Sequence, residues 1–356
     1  MSQTSLPLKP ATNRAENRKR PALPLRAVRR FGGWESGLLA LLVLELVYFS
    51  VTSPDFLVGG TGLLSLSMQF VAIGIVALGL APVVLSGGID LSVGATAGLT
   101  GVMMGTLWQQ GLNIWLAALA GMVVALLIGL VNGLLVVRGH LEPLIGTLAV
   151  GFIVTSVATV LAGNNPPYGF PASFTVLGTG LLGPVPLQLI LFAVLAVLMM
   201  LVMNRTEFGR SISMIGHNPD AARYSGIGVG SALMRAYAAS ALFAGVAGLT
   251  LGSFYSAVRP NLGDSLLLPG ITIVVLGGVD IFGGRGKVLG VILAVFTLGY
   301  LTQGLLVSGY SNLVSAMIES LVMLAAIAVK LTVSGTEGGL AERLRQRLQG
   351  LSGPPT

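Results

Sequence analysis

Long apolar runs, each close to the length that crosses a bilayer, alternate with short polar connections along most of the chain. Because a transmembrane helix needs about 20 mainly apolar residues, we predict an all-α, polytopic helical membrane protein with about ten transmembrane helices. The third run is short and rich in glycine, so a re-entrant segment is an alternative there. The runs lie near residues 36–52, 63–85, 91–107, 112–137, 143–162, 187–203, 233–252, 265–282, 288–307 and 312–331.

Composition leads to the same class. Apolar residues make up 54% of the chain and charged residues only 9%, whereas about 25% of the residues in a typical soluble protein are charged. The 50 glycines suit the close packing of helices in lipid. With no cysteine and two histidines, a disulfide framework, a thiolate zinc site and an all-histidine metal site are excluded. We predict no metal and no cofactor.

Positive charge is distributed unevenly between the connections predicted on the two sides of the membrane. If the N-terminus is cytoplasmic, this span count places 19 of the 20 Lys and Arg residues inside and leaves only Arg259 outside. Cytoplasmic connections of membrane proteins carry such an excess of Lys and Arg, so we predict that both termini are cytoplasmic. These residues lie at the edges of apolar runs without the interleaved aromatic residues that stack on bases, so we predict no nucleic-acid partner.

The same patterns divide the chain into three predicted regions. Residues 1–33 are a basic, disordered cytoplasmic tail, residues 34–332 form the transmembrane domain, and residues 333–356 are a cytoplasmic C-terminal tail. Within this last region, residues 340–351 are arginine-rich and amphipathic, as is typical of a segment at the membrane interface.

The longest polar interval between apolar runs covers residues 204–231 and contains the signals of a short helix. Asn218 can cap the helix by accepting hydrogen bonds from free backbone N–H groups. Pro219 suits the first helical position, and Asp220 lies where the helix dipole favours an anion. Gly226 can end the helix in the left-handed conformation. We predict a self-capped helix that presents a face to a partner protein, and the small Ala221-Ala222 pair would permit close approach.

A weak internal repeat links residues 83–91 to residues 274–281, with one position skipped. Glycine-interrupted spans at matching positions of two halves indicate a transport pathway. Chance similarity between Gly- and Val-rich segments is the alternative. The span count would make the repeat parallel, whereas a re-entrant segment would make it inverted.

Ionisable residues inside the apolar runs are few. Glu45 and Glu319 fall in the first and tenth runs, where a charge costs at least about 2.5–3.5 kcal/mol unless it faces the protein interior. A structural role, a place in the pathway and proton coupling are all open for them.

Neutral polar residues also recur within the runs. They could hydrogen-bond between helices or bind the hydroxyl groups of a neutral polyol. As candidate pathway residues we select Asp90, Ser92, Asn132 and Gln303.

Nucleotide-binding motifs are incomplete. Residues 85–88, LSGG, look like the signature of ABC ATPases, but they end an apolar run. Residues 283–287, GGRGK, lack the leading glycine and the Ser or Thr of a phosphate loop. No triad or carboxylate pair stands out either. The sequence therefore predicts a transport protein rather than an enzyme, with any ATP hydrolysis carried out by a partner chain.

Three stretches together, residues 86–94, 215–227 and 275–290, resemble the permease subunits of ribose-type ABC importers, which serve monosaccharides and small polyols. The resemblance covers residues 34–330. It implies a bacterial inner-membrane permease that works with a second permease subunit, cytoplasmic ATPases and a periplasmic substrate-binding protein. It also implies that the short helix is the coupling loop that docks on the ATPase, formed by Gly216, Asn218, Pro219, Asp220, Ala221, Ala222, Ser225 and Gly226.

Within that family, residues 33–35, Glu45 and residues 299–305 look most like the D-type permease subunits of autoinducer-2 import systems. A permease for ribose, rhamnose or another polyol is the alternative. An ion-coupled secondary transporter that uses Glu45 or Glu319 is the alternative from a different class.

Overall fold

Helices account for nearly all of the regular structure in the computed structural model, which describes residues 33–53, 56 and 62–335. The predicted basic tail before Gly33 and the amphipathic segment 340–351 lie outside these residues. The helices are α1 (Gly33–Thr52), α2 (Leu63–Leu66), α3 (Val71–Leu85), α4 (Val93–Gln109), α5 (Ile114–Val137), α6 (Pro143–Ala162), α7 (Ala172–Thr179), α8 (Leu187–Arg205), α9 (Glu207–His217), α10 (Pro219–Tyr224), α11 (Val229–Tyr255), α12 (Asp264–Leu276), α13 (Val288–Val307) and α14 (Asn312–Gly335).

Six of these helices are long and apolar enough to cross a membrane. A seventh span results if α2 with its following 3-10 turn is joined to α3 across a bend of 63°. Every predicted run contains a helix, but α4 has 17 residues and α12 only 13. A polytopic helical protein is therefore confirmed, while the count of about ten crossings stays a prediction. Helix is not the only structure, because β1 (Leu181–Leu182) and β2 (Val185–Pro186) form a small antiparallel hairpin.

The helices α1 and α13 run side by side in the same direction. At their starts, Glu35 and Lys287 form an ion pair at 2.8 Å. At their ends, the hydroxyl groups of Ser53 and Ser308 are hydrogen-bonded at 2.6 Å. The indole Nε1 of Trp34 also donates to the carbonyl oxygen of Leu276, which ends α12. Both starts therefore lie at the end of the bundle where α12 finishes, which we name the polar end.

A non-helical segment, residues 257–263, lies within the bundle between α11 and α12. It follows the glycine-rich face of α4 at very short range. A Cβ atom on Gly98 would collide with the carbonyl oxygen of Pro260, and one on Gly94 would lie 2.7 Å from the carbonyl oxygen of Gly263. Backbone without helical hydrogen bonds is tolerated at membrane depth only where protein or water covers it. The glycines of α4 thus let the backbone of this segment lie directly against α4, while Arg259 and Asn261 are exposed.

Gly98→Ala should lower the thermal stability of the detergent-solubilised protein. The added methyl group has only the backbone of Pro260 to displace, and overpacking of this kind costs about 1–3 kcal/mol. The measurement is the midpoint of thermal unfolding. Gly37→Ala is the matched control because a Cβ atom there meets nothing within 4 Å. Equal midpoints for the two variants would contradict the proposed close contact.

Candidate functional site

The short helix α10 has the capping that its sequence predicts. The side-chain oxygen of Asn218 accepts from the backbone N–H groups of Asp220 and Ala221, both at 3.0 Å. Pro219 is the first helical residue, and Gly226 has a φ of 79°. The exposed side chains of Asp220 and Arg223 add an ion pair at 3.0 Å. The prediction of a self-capped helix is confirmed.

The two small residues of α10 face opposite environments. Ala222 is 1% exposed and packs into the large core cluster of this chain, whereas Ala221 is exposed. The expectation that both form one docking face is therefore wrong for Ala222, because the helix needs its own anchor to the bundle. The free surface instead carries Ala221, Ser225 and the ring of Tyr224, which is 93% exposed.

Helix α9 was not predicted, although it has a recognisable pattern. Ile212 and Ile215 are buried and Phe208 packs partly against the same core, so apolar residues recur at spacings of four and three, as on one face of a helix. The charged residues of the interval conceal this pattern when only long apolar runs are sought. The consequence is a docking region built from two helices rather than one.

Helix α9 rests on the turns that follow α3 and α12. The hydroxyl group of Ser213 donates to the carbonyl oxygen of Gly284 at 3.1 Å. The backbone N–H of Gly284 donates to the carbonyl oxygen of Leu85 at 2.8 Å. A Cβ atom on Gly216 would collide with the backbone of both Leu85 and Gly284. Gly216, expected at the partner interface, is thus the internal crossing point of three backbone segments, which we name the three-way junction.

The internal repeat corresponds to a repeated turn. Gly87 and Gly278 follow α3 and α12 with φ values of 84° and 88°. After each glycine, an Asp side chain accepts from the backbone N–H two residues later, at 3.0 Å from Asp90 and at 3.0 Å from Asp280. Both helices end at the polar end, so they run in the same direction. This geometry agrees with the parallel alternative.

Three of the four candidate pathway residues form one buried cluster. The hydroxyl group of Ser92 donates to Asp90 at 2.7 Å, and Nδ2 of Asn132 donates to the hydroxyl oxygen of Ser92 at 2.7 Å. Ser240 donates to the second carboxyl oxygen of Asp90 at 2.8 Å. All four side chains are at most 1% exposed. Because they bind one another, this geometry favours the helix–helix alternative for Asp90, Ser92 and Asn132.

Gln303, the fourth candidate, lies elsewhere. It lines a cavity of about 150 Å³ together with Gln69, Thr302 and Glu319, beside the apolar side chains of α3, α12 and α13. Glu319 accepts from the hydroxyl group of Thr302 at 3.2 Å. Glu45 does not reach this cavity and is buried along α1. The four candidate pathway residues thus separate into a sealed cluster, which contains three of them, and a cavity lined by Gln303.

Comparison with known proteins identifies the family. Residues 62–327 match the family of permease components of branched-chain amino acid transport systems. The chain belongs to this permease family. No solved structure matches the chain.

Within this permease family, the chain is similar to several proteins of named function. The autoinducer 2 import system permease protein LsrD of Klebsiella pneumoniae is 38% identical over 300 residues, which cover 83% of this chain and 90% of the relative. LsrD of Yersinia enterocolitica is 38% identical over 305 residues, covering 84% and 92%, and LsrD of Escherichia coli K12 is 38% identical over 301 residues, covering 83% and 91%. These matches confirm the predicted resemblance, and with the apolar helices they establish a multi-pass permease of the inner membrane.

Gly216→Ala should loosen the three-way junction. The new methyl group must displace the backbone of Leu85 or Gly284, so amides of α9 should exchange with deuterium faster than in the unmodified protein. Hydrogen exchange of a peptide covering residues 207–217 measures this. Gly228→Ala is the control, because the only atom near its Cβ position is the rotatable Oγ of Ser231. Unchanged exchange in Gly216→Ala would refute the crossing at this residue.

Proposed function

We propose that this chain is a transmembrane permease subunit of a bacterial ABC importer for a sugar-like solute, with autoinducer-2 as the first solute to test. The LsrD relatives carry that solute in their names and match more than four fifths of the chain. Permeases of ribose, rhamnose or another polyol are the alternative within the family. The chain itself carries out no bond chemistry, and partner ATPases hydrolyse ATP.

The observation that carries the proposal is the arrangement of α9 and α10. Helix α10 is rigidly capped, exposes Tyr224, and is joined through Asn218 to a helix seated on the three-way junction. Movement of a docked protein would therefore reach the ends of α3 and α12 directly. An ATPase subunit is the partner that an ABC importer supplies for such a surface.

A topology of ten transmembrane helices with both termini in the cytoplasm fits this function. The non-helical residues 257–263 and the short helix α12 together form one crossing, since they follow α4 and then reach the polar end. The polar end then faces the cytoplasm, and the opposite end receives solute from a periplasmic binding protein. A second permease subunit, identical or different, completes the pathway. In this topology the basic N-terminal tail and the C-terminal tail are both cytoplasmic.

Reconstitution tests the function. Proteoliposomes that contain the chain, its second permease and its ATPase should accumulate autoinducer-2 only with ATP and the binding protein. Uptake that persists with an ion gradient and without the ATPase would refute the importer and favour the ion-coupled alternative that uses Glu45 or Glu319.

Tyr224→Ala tests the docking surface. Loss of an exposed aromatic anchor at an interface costs about 2 kcal/mol or more, so the ATPase should copurify poorly and uptake should fall at least about tenfold. Because the ring is 93% exposed, folding of the permease should be unaffected. Tyr168→Ala, which alters another strongly exposed tyrosine outside the α9–α10 region, is the control. Undiminished copurification with Tyr224→Ala would place the docking surface elsewhere.

A further inference from the structure

We propose that Gln69, Thr302, Gln303 and Glu319 form a binding site for a small neutral polyhydroxylated solute on the translocation pathway. The inference rests on the proposed import function and goes beyond it, because it assigns the binding site and the hydrogen-bonding side chains that recognise the solute. The site is the cavity of about 150 Å³ between the start of α3, the middle of α12, α13 and α14.

The polar groups of the cavity retain unused hydrogen-bonding capacity. The amides of Gln69 and Gln303 make no hydrogen bond to the described part of the chain, and Glu319 accepts only from Thr302 there. An amide offers both donors and acceptors, and a carboxyl group offers acceptors. Hydroxyl groups of a solute can donate to and accept from such a set. A solute without hydroxyl groups would leave these side chains unpaired.

The remaining walls are apolar. Phe70, Ile73, Ile273 and Leu298 line the cavity beside Pro269. Small-molecule sites typically combine such walls with a few placed polar groups. The apolar walls suit the C–H faces of a ring, and the volume suits a single ring rather than an oligosaccharide.

Exposure of the polar groups indicates what the cavity opens to. Gln69 is exposed, and Thr302, Gln303 and Glu319 are only partly buried. Polar and ionisable side chains at membrane depth face a bundle interior or a water-filled space, because contact with lipid is costly. The cavity mouth therefore opens to water or to the second permease subunit. This contrasts with the Asp90 cluster, which is sealed and whose side chains are hydrogen-bonded to one another, with only the Oδ1 atom of Asn132 left without a partner in the described part of the chain.

Two of the helices that line the cavity, α3 and α12, lead into the three-way junction. Helix α3 contributes Ile73 to its wall and ends at Leu85 in the three-way junction. Helix α12 contributes Pro269 and Ile273 and leads into the turn that contains Gly284. The 15 residues of α3 span about 22 Å. A movement at the junction thus changes the cavity walls through continuous helices, which is what release of a bound solute requires.

Two threonines of α13 provide a matched pair of variants. Thr297 donates to the carbonyl oxygen four residues earlier at 2.9 Å. The hydroxyl hydrogen of Thr302 is shared between the corresponding carbonyl oxygen at 2.9 Å and Glu319 at 3.2 Å, and of the two threonines only Thr302 lines the cavity. Thr302→Val and Glu319→Gln should change the ratio of ATP-driven uptake rates among autoinducer-2, ribose and rhamnose by about tenfold, as expected for loss of a hydrogen bond that discriminates solutes. Thr297→Val should leave the ratio unchanged. Gln303→Leu, which keeps a side chain of similar length, is the independent variant.

The assay uses the complete complex in proteoliposomes, with ATPase copurification and basal ATP hydrolysis as checks of assembly. An unchanged ratio in Thr302→Val, Glu319→Gln and Gln303→Leu would overturn the site while leaving the import function intact. An equal loss for every solute would show a structural role and also overturn it. Uptake that depends on sodium and is lost in Glu319→Gln would show a cation site instead. If the unmodified complex transports none of the three solutes with ATP, the proposed function fails first.

Discussion

The structure depends on how three backbone segments meet without side chains at the three-way junction. The N–H of Gly284 donates to the carbonyl oxygen of Leu85, and Gly216 lies against both residues. Helices that end inside a membrane protein leave carbonyl groups that need partners. Here the turn after α12 satisfies the end of α3, and α9 covers the turn. A side chain at Gly216 would separate backbone segments that lie in direct contact there.

The Asp90 cluster holds the turn after α3, close to this junction, against neighbouring helices. Its carboxyl group accepts from Ser92 within its own turn and from Ser240 on α11, while Asn132 on α5 binds Ser92. Paired polar groups in a buried network hold one another in place, and here the carboxyl group of Asp90 and the hydroxyl group of Ser92 are both paired. The cluster therefore fixes the turn after α3 to two neighbouring helices. The matching Asp280 is only partly buried and holds a turn alone, so the second copy of the turn is less constrained.

Local chemistry determined which features the sequence could predict. The apolar runs predicted the helices because burial in lipid requires continuous apolar sequence, and the cap of α10 was predictable because Asn218, Pro219 and Gly226 act within a few residues of one another. The crossing at Gly216 depends on segments more than 60 residues away in the sequence, and the inward face of Ala222 depends on how α10 packs against the helices next to it. The separation of Asn132 from Gln303 likewise depends on which helices pack together. Residue type alone makes both amides equally good pathway candidates.

The two helices that connect cavity and junction differ in freedom to move. Helix α3 is buried along nearly its whole length, and Gly79 packs against Phe243 and the Ser240 backbone. Helix α12 is shorter, follows a non-helical segment, carries Pro269 within it and exposes Leu268. Each helix contains one proline, Pro82 in α3 and Pro269 in α12, which removes a backbone hydrogen bond and permits a bend, so the difference between the two helices lies in their burial. A close-packed core resists displacement, so the structure favours α3 as the fixed wall and α12 as the wall that moves against it.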